Sequence, residues 1–596
     1  MFSRCLVLAF SYLLLFSVLA WTQTGDISSP ATPGAGDPSL VPLSDTNVSV
    51  RTAAVPTNTA DQEGKIKFRT QTILIQVPTV VTDKSGNHVH GLTKEAFHVL
   101  ENGKEQKVAT LEEIVTTAMK LPVAPPKPGE FTNLVLTDQQ PRPVTVIALD
   151  TINTPFLDQY AGRRALIRYL ADNLDSGDVL ALMVMTSHGL KVVQGLTSDR
   201  EQLVQLLKKA SGEMAAMQGT APDVQANAAA GDIPELPTNL DRPYVAAAAL
   251  IAYSDTISAR FEQPRALEET LNAFLEIAWS LSGVPGRKSL IWATGGFPFT
   301  ISSPAAVPGR NLSSLYERTM QALDAAQVSV YPVDIRGLVS NSPMGNAESV
   351  AGDTGGPHGA AIAQQISNRT WFQQSTIDTL NRFADMTGGK AFYNTNDLAS
   401  SLKRAADDAS SYYLASYYLD THSNNSGWRQ LKVKVDKKDA EVRAREGFFV
   451  TNATMNPDVT RSSDLTYALR SPIEGTGVPL SLKWLGTSGE GANKKAEFLI
   501  HMSADGLSIE SGNGHLNFDF AAVAYLTNGK TGKATKTVGK AVNTTVPDAQ
   551  MASLRASGID MKNALELGPG NYVVRVVIRD NVTGKIGSVT APLTVN

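Results

Sequence analysis

The chain has 596 residues, too many for one hydrophobic core, and about 150 residues per domain gives a prior of about four domains. Hydrophobic residues make up 42% of it and charged residues 18%, which excludes a wholly disordered chain, a collagen and a polytopic membrane protein. The 53 Lys and Arg nearly balance the 57 Asp and Glu, so the chain lacks the excess of positive charge that nonspecific nucleic-acid binding requires. Cys5 is the only cysteine, which excludes disulfides, thiolate metal sites and cysteine nucleophiles downstream.

The N-terminus has the pattern of a targeting segment. Arg4 precedes an apolar stretch from Cys5 to Ala20, and Val18–Ala20 loosely fits the small-x-small pattern of a cleavage site. The stretch is shorter than the roughly 20 residues of a spanning helix. We predict a signal peptide over residues 1–21, with an uncleaved anchor as the alternative, and no further transmembrane segment. Residues 22–67, rich in Ser, Thr, Pro and Gly, are predicted to be a flexible linker.

A small antiparallel β module is predicted over residues 68–120. It combines the β-branched stretch TQTILIQVPTVVT, a turn cluster after it, and the hairpin signal Asn102-Gly103. His88 and His90 share a face of one strand edge, where a metal ion could bind. Because no third ligand is evident, solvated turn histidines are the preferred interpretation.

After a Pro-rich linker at 121–143, the pattern changes to strands that alternate with helices, over residues 144–420 with an inserted loop at 210–245. The predicted strands are fully apolar: VTVIAL, VLALMVM, SLIWA and VSVYPV. Continuous apolar strands between amphipathic helices indicate a parallel sheet with helices on both faces. We therefore predict a doubly wound, Rossmann-like α/β domain.

The remainder is predicted to be β structure. Residues 421–450 form a β tail that packs with the N-terminal module. Residues 451–596 show alternating strands and the phrase LGPGNYVVRV, typical of an immunoglobulin-like β-sandwich. The predicted fold class is thus multidomain α/β plus β, with a central doubly wound parallel-sheet domain flanked by an N-terminal β module and a C-terminal β-sandwich.

In open α/β sheets, ligands bind at the carboxyl ends of the strands. The residues just after the predicted strands form the candidate binding surface: Asp150, Asn153, Thr154, Thr294, Gly295, Gly296, Asp334 and Arg336. Gly295-Gly296 is expected to let a partner approach the backbone closely. Asp334 and Arg336 are expected to form a local ion pair.

Several motifs, in order, resemble the von Willebrand factor A-type (VWFA) domain, and more narrowly the secreted acidobacterial-type VWFA-related family. They are VTVIALDTINT, GDVLALMVM, LTSDREQLVQLL, GRKSLIWATGGFP and AAQVSVYPVDIRGL, followed by YYLASYYLD and VRAREGFFV. The upstream LTKEAFHVLENGKEQKVATLEE commonly accompanies them. The resemblance covers about residues 68–450 and implies a domain that binds proteins, as in cell adhesion.

The resemblance also implies a metal-ion-dependent adhesion site for Mg²⁺, which prefers oxygen ligands. Asp150 and Thr154 match the family pattern, and Thr220 is a weak match for the loop threonine. Ile152 replaces the middle hydroxyl and Gly295 replaces the second Asp, so the site is predicted to be degenerate. Asn153 could contribute an amide oxygen instead. The alternative is that Asp150 and Thr154 hydrogen-bond backbone groups of their own loop.

The sequence contains no H-E-x-x-H, G-x-S-x-G or G-x-x-x-x-G-K-[ST] motif. We therefore expect a bacterial, non-enzymatic interaction or adhesion protein. It is expected to be secreted or periplasmic, and association with the outer surface is left open. Its partner is expected to be a protein or envelope ligand, and no cofactor is expected, with Mg²⁺ as the alternative left open. The competing hypotheses are a hydrolase with its site at the same sheet edge and an envelope assembly scaffold.

Cleavage near Ala20 predicts a mature protein that starts between about residues 20 and 24 and contains no cysteine. Intact-mass spectrometry of the exported protein checks both features. A membrane-bound form that retains Met1 would contradict cleavage and support the anchor.

Overall fold

The computed structural model describes most of the chain from residue 41 onward. The described ranges are 41–42, 48–49, 74–116, 128–133, 142–154, 156–172, 179–209, 265–296, 312–337, 357–419, 427–450, 458–489, 493–510, 515–527 and 533–596. The predicted signal peptide and the inserted loop with Thr220 lie outside them. Within these ranges, no helix has the length and apolar character needed to cross a membrane.

The strands, in chain order, are β1 (Val41–Pro42), β2 (Val48–Ser49), β3 (Leu74–Thr82), β4 (Phe97–Glu101), β5 (Lys104–Gln106), β6 (Val108–Val115), β7 (Glu130–Thr132), β8 (Val144–Asp150), β9 (Val179–Thr186), β10 (Gly189–Thr197), β11 (Lys288–Thr294), β12 (Val328–Asp334), β13 (Ser411–Tyr418), β14 (Gly427–Val435), β15 (Glu441–Arg443), β16 (Gly447–Val450), β17 (Leu480–Ser488), β18 (Lys494–Met502), β19 (Ile509–Glu510), β20 (His515–Leu526), β21 (Lys533–Thr545), β22 (Ile559–Leu567), β23 (Gly570–Asp580) and β24 (Ile586–Val595). The described helices are α1 (Phe156–Asp172), α2 (Arg200–Lys209), α3 (265–281), α4 (Ser313–Ala325), α5 (Pro357–Thr387), α6 (Leu398–Asp407), α7 (Asp458–Arg470) and α8 (Asp548–Ser557), with 3-10 turns at Lys94–Ala96 and Ala504–Gly506.

One sheet, which we call the mixed sheet, has the strand order β10-β9-β8-β11-β12. The pairings from β9 to β12 are parallel, and β10 is an antiparallel edge strand. Its strands are apolar on both faces because both are covered: Val146 and Ala148 contact one core, and Ile147 and Leu149 contact another. Helices α3, α4 and α5 contribute to the first core, and α1, α2 and α6 to the second.

The predicted fold class is wrong. The described residues form five separate sheets in which antiparallel pairing predominates. The mixed sheet is one of these five and not a central doubly wound domain between independent modules. The other four have the orders β15-β3-β13-β6, β16-β14-β4-β5, β2-β22-β18-β17-β7, and β1-β21-β20-β23-β24 with β19 on β20. The local sequence pattern identifies strands but does not specify their partners, and distant segments complete each of these sheets.

The N-terminal strands share a core with strands that come several hundred residues later. We call this unit the β module (residues 74–115 with 411–450). Strand β13 lies between β3 and β6, and β14 pairs with β4. Glu101 is buried there and accepts hydrogen bonds from Arg429 (2.6 Å) and from the Tyr417 hydroxyl (2.9 Å). The two segments therefore stabilise each other.

The C-terminal sheets face each other across one apolar core, but they are not built from residues 451–596 alone. Strand β7 lies inside the segment predicted as a Pro-rich linker and pairs with β17. Strands β1 and β2 pair with β21 and β22. Helix α7 packs with the helices of the mixed sheet, so the C-terminal region and the mixed sheet share a core.

An ion triad with a buried Asp–Arg pair at its centre lies at this shared core. Asp464 on α7 accepts a hydrogen bond from Arg318 of α4 at 2.5 Å and from Arg579 of β23 at 2.9 Å. The Arg579 and Asp464 side chains are 1% and 5% exposed. Removing one partner of such a pair leaves a buried charge without compensation. The resulting loss of folding free energy is much larger than the net stabilisation that the intact pair provides.

We expect Asp464→Asn to lower the free energy of unfolding by about 3–5 kcal/mol, because Arg579 then stays buried without its carboxylate. Asp407→Asn is the matched control, since Asp407 forms an exposed i,i+4 pair with Lys403 and its loss costs about 0.5 kcal/mol or less. Denaturant unfolding measures both. Equal effects of the two substitutions would contradict the role assigned to the triad.

Candidate functional site

The candidate site lies at the carboxyl edge of the mixed sheet, where β8 ends at Asp150 and the chain turns through residues 151–154 into α1. The buried Asp150 carboxylate organises this turn. Its Oδ1 accepts the backbone N–H of Ile152 at 3.0 Å and that of Asn153 at 2.9 Å. Short acidic side chains often bond to backbone groups two or three residues on, so the local contact expected for Asp150 is confirmed.

The other carboxylate oxygen of Asp150 is engaged by three side chains. Oδ2 accepts the Asn153 amide at 2.8 Å, the Trp292 indole N–H at 3.0 Å and the Thr294 hydroxyl at 2.8 Å. Trp292 and Thr294 lie on the neighbouring strand β11, two residues apart and hence on the same face. Five donors thus serve a carboxylate that has about four lone-pair sites.

Sequence reasoning missed Trp292 as a member of this site. The available signal was its spacing: it precedes Thr294 by two residues in SLIWAT, and a buried indole N–H needs an acceptor. Asn153 faces Asp150 with its amide nitrogen, which also donates to the Thr270 hydroxyl at 2.9 Å. Its amide oxygen, suggested above as a cation ligand, is therefore not turned to Asp150.

Thr154 closes the same network from the other side. Its Oγ1 accepts the backbone N–H of Gly295 at 2.7 Å, so it bonds to the loop after β11 and not to its own loop as expected. The Gln159 amide donates to the Thr154 carbonyl at 2.9 Å. Thr294 in turn accepts the Gly296 N–H at 2.9 Å. The two loops are locked together by contacts within the chain.

This arrangement leaves little for a cation to bind. Burial raises the pKa of Asp150, and hydrogen bonds to the carboxylate from Asn153, Thr294 and Trp292 oppose that rise. An ion would have to displace the indole and hydroxyl donors, while Ile152 and Gly295 offer no side-chain oxygen in return. The donors of the chain satisfy the charge that a cation would otherwise balance.

Gly296 is explained by packing within the chain. Its φ is +77°, and a Cβ there would lie 2.1 Å from Cγ2 of Thr376 on α5. The close approach expected at this glycine is therefore made by α5 of the same chain. Any larger residue at 296 would push α5 away from the edge.

Asp334 and Arg336 form the expected local ion pair, separate from Asp150. Asp334 accepts from Arg336 Nε at 2.9 Å and Nη2 at 2.7 Å. Strand β11 lies between β8 and β12, so the ends of the latter two are two strand spacings, or about 10 Å, apart. Burial raises the pKa of Asp158 on α1, where Arg336 acts to lower it and Asp334 to raise it.

The accessible features of this edge are aromatic side chains on the helices. Thr387, at the C-terminal end of α5, bonds to Val330 near the start of β12. Thr376, eleven residues earlier, contacts Gly296 at the carboxyl edge. The N-terminal part of α5 therefore extends beyond that edge. Trp371, five residues or about 7.5 Å beyond Thr376, is 43% exposed. Tyr160 on α1 is 56% exposed, with the Arg163 guanidinium 5.3 Å from its ring centroid.

Two strongly shifted groups lie away from the edge and have structural explanations. Burial lowers the pKa of Lys288, at the start of β11, to about 7, and its Nζ donates to the Val284 carbonyl at 2.6 Å. Burial raises the pKa of Glu276 to about 7, and the Ser471 hydroxyl donates to it at 2.7 Å. Perturbed pKa values often mark functional sites, but each of these groups is satisfied within the core.

The chain shows a weak likeness to a solved structure. No family model matches the chain, and no curated protein matches it. Among solved structures, the ArnB paralog VWA2 from Sulfolobus acidocaldarius is similar at 8% identity, covering 84% of this chain and 76% of that one with a TM-score of 0.18. A likeness of that degree carries no argument about fold or function.

We expect Asp150→Asn to lower the free energy of unfolding by at least about 2 kcal/mol, because an amide group would face the indole and hydroxyl donors and leave buried groups unpaired at about 1–3 kcal/mol each. Asp397→Asn is the matched control: Asp397 is the exposed N-cap of α6, where Asn serves about as well. Thermal and denaturant melts measure both. A stable Asp150→Asn protein would show that the network does not hold the edge together.

Proposed function

We propose that this protein is a secreted or cell-envelope interaction protein that binds a protein ligand at the carboxyl edge of the mixed sheet, without a divalent cation at Asp150. The observation that supports this choice of binding surface is the exposed side chain of Trp371, on the part of α5 that extends beyond that edge. Tryptophan is enriched among the residues that dominate binding energy, because it buries a large rigid surface at low entropic cost.

The edge below Trp371 suits a binding surface because it is rigid. The Asp150 network fixes the ends of β8 and β11, and Thr376 of α5 packs on Gly296. A partner that contacts Trp371 therefore meets a preorganised support, which reduces the ordering cost of association.

A binding role is favoured over hydrolysis at this edge. Both carboxylates that end strands here are engaged by donors of the chain: Asp150 by its five donors and Asp334 by Arg336. The VWFA-like motifs support the same choice by resemblance. Adhesion and envelope assembly differ only in the partner, and both fit this proposal.

Export is supported by the N-terminal sequence. The apolar segment after Arg4 fits a signal peptide, and the chain beyond Cys5 contains no cysteine. A cysteine-free protein in an oxidising compartment depends on its packed cores for stability.

Removing residues 451–596 is not a clean test of where the partner binds. Leu465 and Leu469 of α7, with Val577 and Ile586, belong to the core that also contains the helices of the mixed sheet. The truncation would expose that core, so substitutions at exposed side chains are the sharper test.

We expect Trp371→Ala to weaken capture of the envelope partner by at least about tenfold, or about 1.4 kcal/mol, because the anchor side chain is lost. The matched control is Tyr418→Ala, which removes an aromatic side chain 58% exposed on β13 of the β module. Quantitative pull-downs from envelope extracts compare the two variants with wild type, with and without added Mg²⁺. Both variants should melt like wild type.

Two outcomes would overturn the proposal. One is that Tyr418→Ala, and not Trp371→Ala, weakens capture. The other is that capture by the wild type depends on added Mg²⁺, which would mean that Asp150 binds a cation after all.

A further inference from the structure

Three metal-ligating side chains converge in the β module, away from the sheet edge described above. His88 Nε2 lies 3.2 Å from Glu113 Oε1, and His90 Nδ1 lies 2.7 Å from the same oxygen. One ligand atom from each residue can be chosen so that all lie within 4.8 Å of one another. Sequence spacing indicated the two histidines but not Glu113, which lies 23 residues after His90 on β6.

The local sequence after β3 positions the two histidines. Asp83 accepts the backbone N–H groups of Ser85 and Asn87 at 2.8 and 2.9 Å, which fixes the turn after β3. The extended chain after that turn places His88 and His90 on one side, since side chains alternate along a strand. Strand β6 then presents Glu113 to both.

Surrounding contacts hold the ligands in place. The backbone N–H of Gly91 donates to Glu113 Oε2 at 2.9 Å, which leaves Oε1 turned to the imidazoles. The His88 ring stacks on Tyr413 at a centroid distance of 5.2 Å. The Tyr413 hydroxyl donates to the Val89 carbonyl at 2.8 Å and accepts the Leu92 N–H at 3.1 Å. Such outer contacts orient ligands and raise affinity.

We propose that His88, His90 and Glu113 form a binding site for a divalent transition-metal ion, with Zn²⁺ as the best match. Imidazole nitrogens favour Zn²⁺ over Mg²⁺, which prefers oxygen ligands. Zinc–ligand bonds of about 2.0–2.2 Å at tetrahedral angles place neighbouring ligand atoms about 3.3 Å apart. The 3.2 Å separation of His88 Nε2 and Glu113 Oε1 already fits. His90 Nδ1 would move away from the same oxygen, from 2.7 Å. The three ligand atoms, which all lie within 4.8 Å of one another, would then adjust to the tetrahedral spacing.

The protonation states suit ligation. Burial lowers the pKa of His88, so its ring is neutral near pH 7, the form that binds metals. Burial alone raises the pKa of Glu113, but hydrogen bonds from Gly91, His90 and His88 outweigh it and lower the pKa, so the carboxylate is ionised. The His90 side chain is 64% exposed, which gives an ion access from solvent and leaves room for water as a fourth ligand.

A third histidine in the β module, His98, shows what distinguishes this cluster. His98 also lies between two carboxylates, but its Nδ1 contacts Glu105 at 2.7 Å and its Nε2 contacts Asp436 at 3.0 Å. The two ring nitrogens point in different directions, so those carboxylates do not converge on one point. His98 is therefore the matched control, and the proposal is independent of the function proposed for the sheet edge.

The test is a Zn²⁺ titration of the full, tag-free chain after treatment with a chelator, by calorimetry and by competition with a chromophoric chelator. We expect one Zn²⁺ per chain and a higher melting temperature with Zn²⁺, because binding to the folded state stabilises it. Co²⁺ in place of Zn²⁺ should give the visible absorption of a tetrahedral N/O site. Mg²⁺ should give neither effect.

His90→Ala and Glu113→Gln should each weaken Zn²⁺ binding by at least about 100-fold. Loss of a residue that only hydrogen-bonds a metal ligand costs up to about 100-fold, and loss of a ligand should cost at least as much. His98→Ala should leave the affinity unchanged. His90 is exposed, so its substitution should leave the metal-free melting temperature near that of wild type. The proposal is overturned if no one-to-one binding occurs, or if binding survives His90→Ala and Glu113→Gln.

Discussion

The edge of the mixed sheet depends on one buried carboxylate. Asp150 ends β8 without access to solvent, and burying a bare carboxylate is costly unless donors or a cation compensate it. Here the compensation comes from two backbone N–H groups and from Asn153, Trp292 and Thr294. The same hydrogen bonds join the loop after β8 to the end of β11. The Asp150 carboxylate thus holds the ends of the neighbouring strands β8 and β11 together. Gly296, in the loop after β11, packs against Thr376 and so sets how closely α5 approaches this edge.

The Asp150 and Glu113 carboxylates differ in what surrounds them. Asp150 meets N–H and O–H donors that are part of the packed core, and these cannot leave without breaking it. Glu113 meets two imidazoles at the surface of the β module, and an imidazole can exchange a hydrogen bond for a metal bond. A carboxylate's capacity to bind a cation therefore depends less on its own identity than on whether its neighbours can become ligands.

Long-range pairing connects the remaining parts. Strand β13 follows α6 yet inserts between β3 and β6, and β7 joins β17 about 350 residues later. Helix α7 carries Asp464 between Arg318 and Arg579 and so ties the C-terminal sheets to the helices of the mixed sheet. Segments that looked like separate modules share cores, because strand edges and apolar faces are stabilised by whichever partner completes them.

The sequence by itself determined the local elements: apolar runs such as VTVIAL and VSVYPV became buried strands, and Asp334-x-Arg336 became an ion pair across two residues. These features depend on side-chain periodicity and on hydrogen bonds between residues close in the chain, and both can be recognised from the sequence. The predicted central parallel-sheet architecture was wrong because strand partners are chosen over hundreds of residues. Trp292 at Asp150 and Glu113 at the two histidines were likewise decided only by tertiary structure. Each is contributed by a strand distant in the chain, and the local pattern that identifies a strand does not specify which side chains of other strands will face it.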